Sequence, residues 1–211
     1  MRRFFLWLIY RVIMRFLLKL FAGISIKDKE NIICKGPSII VANHNSHLDT
    51  ISIMSFLPTT QLIKTHPVAA GDYFGKTNSK KRLSNYFINA LLIPRGRPKK
   101  EENKPDPIEM MLEVLDRGHS LILFPEGSRG EPEVMQEFKW GIGLILQARP
   151  DIPFIPIYLK GLGKVLPKGD PVPVPHLSKI TCGKPTLPIS QDPAEIVTQV
   201  HNSIVSLKNN Y

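Results

Sequence analysis

The sequence has little cysteine and comparatively little acidic charge. Cys34 and Cys182 are its only cysteines. They form neither a disulfide framework nor a C-x-x-C pair, and nothing indicates a structural zinc site. Such a composition suits a reducing compartment. Against 18 Asp and Glu stand 28 Lys and Arg, which gives a net charge of +10. That excess indicates a nucleic acid, a membrane surface or an anionic substrate as a binding partner.

Long uncharged runs are also missing from residues 1–23, the most apolar stretch of the chain. Its longest run, Phe4 to Tyr10, has seven residues, whereas a bilayer-spanning helix needs about 20. The cations of this stretch recur at multiples of four and are Arg3, Arg11, Arg15 and Lys19. On a helix they form a basic stripe beside a broad apolar surface. This pattern predicts an amphipathic helix at a membrane interface, with its cations directed toward anionic headgroups.

Two alternatives stand beside the membrane helix. Residues 1–23 can form a helix that packs on the core of the following domain, and both interpretations can hold for different faces. A cleaved signal peptide is the weaker alternative, because Arg11 and Arg15 interrupt the apolar region and no A-x-A site follows.

Residues 24–211 are predicted to form a single α/β domain, because strand patterns alternate with helix patterns along the chain. The predicted strands are "SIIVAN" (38–43), "QLIKTHPVAA" (61–70), "LLIP" (91–94), "SLILFPEG" (120–127), "FIPIYLKG" (154–161) and an edge strand "SKITCGKPTL" (178–187). The predicted helices are "LDTISIMSFL" (48–57), "KKRLSNYFIN" (80–89), "IEMMLEVLDRG" (108–118) with Gly118 as its C-cap, "FKWGIGLILQARP" (138–150) and a last helix opened by Asp192 and Pro193. We therefore expect a mostly parallel central sheet flanked by helices.

Polar clusters directly follow three of the predicted strands. They are "ANHNSHLD" (42–49), "PRGR" (94–97) and "PEGSR" (125–129). In open α/β sheets, ligands bind beyond the carboxyl ends of the strands. The three clusters are therefore expected to meet at one edge of the sheet and to form the functional site there.

The first cluster allows three interpretations. His44 can act as a general base whose tautomer is fixed by Asp49. Ser46 can be the N-cap of the following helix, with Asp49 in its first turn as in a capping box. A metal site of His44, His47 and Asp49 is the third, although H-x-x-H-x-D is not an established ligand spacing and no second ligand cluster is evident. Capping and catalysis are compatible, and His47 is interpreted as a partly exposed bystander.

Four blocks of the sequence resemble, in order, those of the glycerolipid acyltransferases, the family typified by bacterial 1-acylglycerol-3-phosphate acyltransferase. "NHNSHLD" resembles the H-x4-D block, "NALLIPR" the G-x-x-F-I-x-R block, "FPEGSRG" the F-P-E-G-T/S-R block and "FIPI" a hydrophobic block centred on proline. "FKWG" is similar to the F-K-x-G that commonly follows the third block. The chain departs from the family at Asn89, where glycine is usual, and at Pro94, where Asp is frequent.

The resemblance implies transfer of a fatty acyl group from acyl-CoA or acyl carrier protein to the hydroxyl of a lysophospholipid-like acceptor. It implies His44 as the general base and Asp49 as the residue that orients it, with direct transfer and no acyl-enzyme. The sequence has no G-x-S-x-G nucleophile elbow. The substrate-binding residues that carry over are Arg95 and Arg129 as phosphate ligands, together with Glu126, Gly127 and Ser128. Phe124, Pro125 and Pro156 are interpreted as scaffold. Neither a cofactor nor a metal is implied.

The expected activity is therefore that of a membrane-associated enzyme of phospholipid biosynthesis or remodelling, on the cytoplasmic face. Glycerol 3-phosphate or another hydroxylated lipid is the alternative acceptor. A non-enzymatic module that binds a membrane or a nucleic acid is the alternative class, although the basic loops lack interleaved aromatic residues and no nucleic-acid motif occurs.

Overall fold

The computed structural model of the chain describes residues 2–71, 89–94, 96, 105–167 and 172–209. Within these residues, seven strands form one sheet in the order β1-β7-β6-β2-β5-β3-β4. The strands are β1 (Ser25–Lys27), β2 (Ile39–Ala42), β3 (Thr65–Ala70), β4 (Leu91–Ile93), β5 (Ser120–Leu123), β6 (Phe154–Lys160) and β7 (Lys179–Cys182). The five strands from β6 to β4 run parallel, and β7 with β1 runs antiparallel to them. The predicted α/β fold with a mostly parallel sheet is thus confirmed.

Helices cover both faces of this sheet. The N-terminal helical segment comprises α1 (Arg2–Trp7), a π-helical stretch (Leu8–Met14) and α2 (Arg15–Ala22). The other helices are α3 (Leu48–Phe56), α4 (Thr59–Leu62), α5 (Pro107–Asp116), α6 (Gly141–Ala148), α7 (Leu162–Val165) and α8 (Pro193–Asn209), with a 3₁₀ turn at Lys29–Ile32.

Two hydrophobic clusters lie on opposite faces of the sheet. Alternate residues of β2 belong to different clusters, because successive strand side chains point to opposite faces. Ile40 packs with the N-terminal helical segment and α3, whereas Ile39 packs with α5, α6 and α8. The central strands are consequently buried on both sides, which explains their continuous apolar runs.

The N-terminal helical segment has one buried and one exposed side. Leu6, Tyr10 and Leu18 belong to the hydrophobic core, so the alternative of core packing holds for this side. The exposed apolar residues are Phe4, Phe5, Trp7, Val12, Ile13, Phe16, Leu17 and Leu20. None of the helices in the described part of the chain combines the length and the apolar character needed to cross a membrane.

Two cations of the predicted basic stripe contact the protein itself. Arg11 donates a hydrogen bond from Nη1 to the carbonyl oxygen of Leu57 at 3.2 Å. The guanidinium of Arg15 lies 5.0 Å from the ring centre of Phe56, and burial lowers its pKa. The end of α3 thus contacts both cations, which stay partly exposed, and the orientation of the stripe toward headgroups stays a prediction.

Several predicted elements are displaced. β7 was expected at an edge of the sheet, but β1 pairs with it and covers it. The predicted strand 61–70 begins with the last turn of α4 and becomes extended only at Thr65. α6 begins at Gly141, three residues after the predicted start at Phe138. Of the predicted helix 80–89, residues 80–88 lie outside the described part, and Asn89 belongs to no helix.

Candidate active site

The candidate site lies beyond the carboxyl ends of β2 and β5, which are neighbours in the sheet with Val41 opposite Leu123. Each strand leads directly into one of the polar clusters. The backbone N–H of His44 donates to Oε1 of Glu126 at 3.0 Å, and the N–H of Gly130 donates to the carbonyl oxygen of His44 at 3.0 Å. Two of the three clusters therefore meet as expected. Arg95, in the third cluster, lies outside the described residues.

His44 and Asp49 are joined by a hydrogen bond. Nδ1 of the imidazole lies 2.9 Å from Oδ2 of the carboxylate. The same oxygen accepts the backbone N–H groups of Asn45 at 2.7 Å and Ser46 at 2.8 Å. Asp49 is fully buried, whereas the imidazole keeps a partly exposed edge. A buried carboxylate therefore holds a ring that solvent or a substrate can reach.

The start of α3 differs by one residue from the predicted cap. The helix begins at Leu48 with His47 in the N-cap position, so Ser46 stands one residue further out. The hydroxyl of Ser46 still accepts the N–H of Leu48 at 3.1 Å and donates to the carbonyl oxygen of Leu166 at 2.9 Å. The carboxylate of Asp49 accepts the N–H of Ser46, which is one of the two bonds of a capping box, but the Ser46 hydroxyl accepts from Leu48 and not from Asp49. The loop that carries His44 is thus fixed at both ends.

Two buried asparagines also fix this loop, and the sequence pattern gave them no role. Asn43 donates to the carbonyl oxygen of Leu159 at 2.9 Å and accepts its N–H at 2.7 Å, which joins the end of β2 to β6. Asn45 donates to the carbonyl oxygens of Glu131 at 2.5 Å and Val134 at 3.1 Å. The loop that carries His44 is therefore tied to two other segments by side chains that sequence spacing could not pair.

Phe124, interpreted from the sequence as scaffold, contacts His44 directly. The two rings are stacked with centres 4.1 Å apart and planes at 19°. Phe124 is the first residue after β5, and the pairing of β5 with β2 brings it beneath the imidazole. Only the order of the strands reveals this contact, because 80 residues separate the two in sequence.

Glu126 is buried beside His44. Its Oε1 accepts the N–H of His44, whereas Oε2 is buried and has no hydrogen-bond partner. Burial raises the pKa of this carboxyl to about 7, although the hydrogen bonds from the backbone N–H groups of His44 and Gln136 oppose the rise. Glu126 is consequently a group that can change charge near neutral pH at the site.

The turn after Glu126 presents the rest of the third block. Gly127 has φ of 73°, a conformation that favours glycine, and its N–H donates to the carbonyl oxygen of Phe124 at 3.0 Å. Ser128 is exposed, and Nη1 of Arg129 contacts Nε2 of His47. Burial and the neighbouring Arg129 lower the pKa of His47, which favours the neutral ring that accepts this bond. His47 is partly exposed, as expected, and it contacts Arg129; its interpretation as a bystander stays a prediction.

The metal interpretation of the first cluster can be compared with the positions of the possible ligands. Among the residues that the structure describes, no group of three or more His, Cys, Asp or Glu side chains is arranged to share a metal ion.

Asn89, which departs from the usual glycine, has φ of 60°. Its amide donates to the carbonyl oxygens of Ile63 at 3.1 Å and Thr65 at 2.8 Å. Asn89 precedes β4 and therefore lies at the amino ends of the parallel strands, whereas His44 lies at their carboxyl ends.

Comparisons with known proteins agree with the sequence blocks. The model of the family described as "Acyltransferase" matches residues 23–160. A chloroplastic 1-acyl-sn-glycerol-3-phosphate acyltransferase of Arabidopsis thaliana is 27% identical over 163 residues, which are 73% of this chain and 43% of that protein. Tafazzin of Drosophila melanogaster is 28% identical over 150 residues, which are 69% of this chain and 38% of that protein. The chain thus spans less than half the length of these relatives.

A solved structure shares the fold. The crystal structure of the 1-acyl-sn-glycerophosphate acyltransferase of Thermotoga maritima matches with a TM-score of 0.77 and 21% sequence identity. The match covers 99% of this chain and 80% of that one.

Proposed function

The chain belongs to the acyltransferase family, and on that premise we propose that it acylates lysophospholipids. It moves a fatty acyl group from a thioester, acyl-CoA or acyl carrier protein, to the free hydroxyl of 1-acylglycerol 3-phosphate or a related lysophospholipid. The observation that carries the proposal is the contact of His44 with the buried carboxylate of Asp49 beyond the end of β2. The thioester is a co-substrate, and the proposal includes neither a cofactor nor a metal.

In the first step, His44 is the general base. Asp49 accepts the Nδ1–H of the ring, so the lone pair of Nε2 is available to the acceptor hydroxyl. As Nε2 takes the hydroxyl proton, the oxygen attacks the thioester carbonyl carbon, and a tetrahedral oxyanion forms. Asp49 stabilises the resulting imidazolium. Help of this kind is typically worth about 10²–10⁴-fold in rate.

In the second step, the tetrahedral adduct collapses. The carbon–sulfur bond breaks, the carbonyl re-forms, and the imidazolium returns its proton to the departing thiolate. The products are the acylated lipid and free CoA or carrier-protein thiol, and no acyl group is ever bonded to the protein. Stacking on Phe124 holds the ring in one orientation through both steps.

Arg129 is proposed to bind the acceptor phosphate with Arg95, because a guanidinium fork suits phosphate oxygens. The contact with neutral His47 holds Arg129 at the mouth of the site. Gly127 and Ser128 form the exposed turn between Glu126 and Arg129, where an acceptor headgroup would lie. Glu126 is proposed as an acceptor-site residue that lies beside His44, whose N–H it accepts.

The enzyme is proposed to work at the cytoplasmic surface of a membrane. The exposed apolar side of the N-terminal helical segment supports this, since it carries three phenylalanines and a tryptophan. Its exposed cations Arg3 and Lys19 remain available to anionic headgroups. The buried side of the same segment keeps the site close to that surface.

A panel of acceptors and donors tests the proposal. Purified protein is given labelled acyl-CoA or acyl carrier protein with lysophosphatidate, larger lysophospholipids or glycerol 3-phosphate. We expect transfer to a lysophospholipid, with lysophosphatidate preferred if Arg129 and Arg95 bind its phosphate. Preference for glycerol 3-phosphate would move the assignment to the alternative acceptor. An absence of transfer from both donors to every acceptor would contradict the enzyme and favour a binding module.

A further inference from the structure

A loop formed by residues 172–177, "VPVPHL", is fastened to the end of the N-terminal helical segment. His176 donates its backbone N–H to the carbonyl oxygen of Phe21 at 3.0 Å, and Ser178 donates to that of Ala22 at 2.8 Å. At its other end, the N–H of Val174 donates to the carbonyl oxygen of Val165 at 2.8 Å, behind α7. The 172–177 loop is therefore held at several points along its backbone.

This loop exposes apolar side chains. Val172, Val174 and Leu177 are 67%, 59% and 80% exposed. Single exposed apolar residues are ordinary on protein surfaces, but a cluster of them indicates a surface that binds something. The cluster is continuous with the exposed apolar side of the N-terminal helical segment, because the loop is bonded to the last residues of that segment and Leu20 is exposed there.

Beside the loop lies a basic cleft of about 430 Å³. Leu177 and His176 of the loop line it together with Lys160, Lys164 and Lys179. Among the described residues of the lining, Glu133 is the one carboxylate, and its Oε1 accepts the backbone N–H of Gly161 at 2.8 Å. The described residues of the lining thus carry three lysines and one carboxylate, a positive formal charge that suits an anion.

We propose that the 172–177 loop and this basic cleft form a second membrane contact that binds the headgroup of an anionic phospholipid. Leu177 and the two valines enter the acyl-chain boundary, and the phosphate of the headgroup lies among the lysines. Apolar insertion next to lysines is the arrangement that anionic bilayers favour. The inference rests on the membrane-surface location in the proposed function, and it adds a headgroup site next to the N-terminal helical segment.

The contact is connected to the catalytic loop. A Cβ built on Gly163 of α7 would lie 3.0 Å from Cβ of Asn45. The hydroxyl of Ser46 donates to the carbonyl oxygen of Leu166, one residue beyond α7. With this contact and the N-terminal helical segment both on the bilayer, the site has two supports and hence a fixed tilt toward the lipid surface.

Vesicle sedimentation of four variants of the full chain tests the proposal. Leu177→Ser and Lys164→Glu alter the proposed contact. Ile189→Ser and Lys208→Glu are matched controls, because both residues are exposed and lie away from the cleft. The vesicles are phosphatidylcholine alone or an equimolar mixture with phosphatidylglycerol.

On the mixed vesicles we expect Lys164→Glu to weaken binding about fivefold or more, since each basic residue contributes about that factor at an anionic surface. High salt removes this difference, whereas the loss in Leu177→Ser persists. The controls bind like the parent chain. All four variants keep the parent rate on acceptors in detergent micelles, where no bilayer has to be engaged.

Three results would overturn the proposal. If the parent chain binds vesicles and the two contact variants bind as well as their controls, the second contact is wrong and the proposed function stands. If Lys164→Glu keeps vesicle binding but raises KM for acyl-CoA or acyl carrier protein, the cleft binds the donor instead. If the parent chain does not bind vesicles at all, the membrane-surface location fails with it.

Discussion

At the scale of single residues, the site places two carboxylates in opposite surroundings. One oxygen of Asp49 accepts three N–H groups, one from His44 and two from the backbone. Glu126 is buried with one oxygen unpartnered, and its pKa is raised to about 7. Pairs of carboxyls held in different environments are a common way to divide chemical roles within one site. Asp49 therefore suits the task of orienting His44, and Glu126 suits contact with a bound acceptor.

The raised pKa of Glu126 predicts a pH dependence of stability. An ordinary glutamate has a pKa of 4.5, whereas the folded-state value here is about 7. Between these values the folded protein binds more protons than the unfolded chain, so the free energy of unfolding falls as pH rises through this window. Glu126→Gln removes the titration, and we expect the parent chain to lose stability relative to this variant as pH increases. Denaturant unfolding of both proteins on either side of the window measures it. A parallel dependence in the two would contradict the burial of Glu126.

The stacking of Phe124 on His44 predicts a catalytic effect without a binding effect. Phe124→Ala should lower kcat roughly 2- to 10-fold, because an aromatic pair contributes about 0.5–1.5 kcal/mol beyond area burial. KM for the acceptor should stay near its parent value. Phe124→Tyr keeps the ring and serves as the control. Equal loss in the two variants, or a change confined to KM, would show that the stacking does not position the imidazole.

At the scale of elements, the correct predictions of strands and helices came from patterns within each element's own sequence. Apolar runs predicted β2, β5 and β6, and the helical pattern of residues 108–118 predicted α5. Gly118 follows that helix with φ of 73°, as its C-cap role requires. The wrong predictions concerned features that depend on contacts between residues distant in sequence. β1 has three residues and no apolar run, so nothing in its own sequence shows that it would cover β7.

The residues of the site also divide into those that a local sequence pattern predicts and those that depend on contacts distant in sequence. Sequence spacing and family resemblance proposed His44 and Asp49, and the order of the blocks proposed Glu126 and Arg129. Contacts across β2, β5 and β6 could not be predicted, because the stacking of Phe124 and the bonds of Asn43 exist only once the strands are ordered. At Asn89 the structure explains a departure from the family pattern that the sequence only recorded. Its left-handed backbone explains why glycine suits this position, yet no sequence pattern predicted that conformation.

The start of α5 gives a prediction at this scale. Oδ1 of Asp106 accepts the N–H of Ile108 at 2.7 Å, and Pro107 occupies the first turn. Asp106→Ala should lower the free energy of unfolding by about 1 kcal/mol, since the cap is lost. Activity should be unchanged because α5 lies away from His44. Asp151→Ala, at an exposed turn, is the control for loss of a surface carboxylate. Equal stability of the two variants would contradict the cap.

At the scale of the whole molecule, the sheet determines how the site and the two proposed membrane contacts are placed. One face of the sheet binds the buried side of the N-terminal helical segment. The carboxyl edge carries His44, and β7 and β1, which run antiparallel to the other strands, extend the sheet toward the 172–177 loop. The net charge of +10 is thus partly accounted for by the basic cleft and by the cations of the N-terminal helical segment.

The two sides of the N-terminal helical segment can be separated by mutation. Leu6 is 1% exposed and Phe16 is 67% exposed. Leu6→Ser should destabilise the fold by about 3 kcal/mol or more, because it leaves a cavity and buries a hydroxyl. Phe16→Ser should change stability by less than about 0.5 kcal/mol and should weaken binding to vesicles. Thermal unfolding and vesicle sedimentation of both variants measure the two effects.

Deletion of residues 1–22 removes both sides of the segment and should unfold the protein. Stable, membrane-released protein after that deletion would contradict the core packing.

The most direct test of the central claim is the acyl-transfer rate of His44→Ala beside His201→Ala, with a lysophospholipid acceptor and both thioester donors. His201 lies on α8, where its ring contacts Phe138 rather than the site. We predict that His44→Ala keeps the parent unfolding temperature and loses about 10²–10⁴-fold in kcat, whereas His201→Ala keeps its rate. Acyl transfer by His44→Ala at the parent rate would contradict the proposed mechanism.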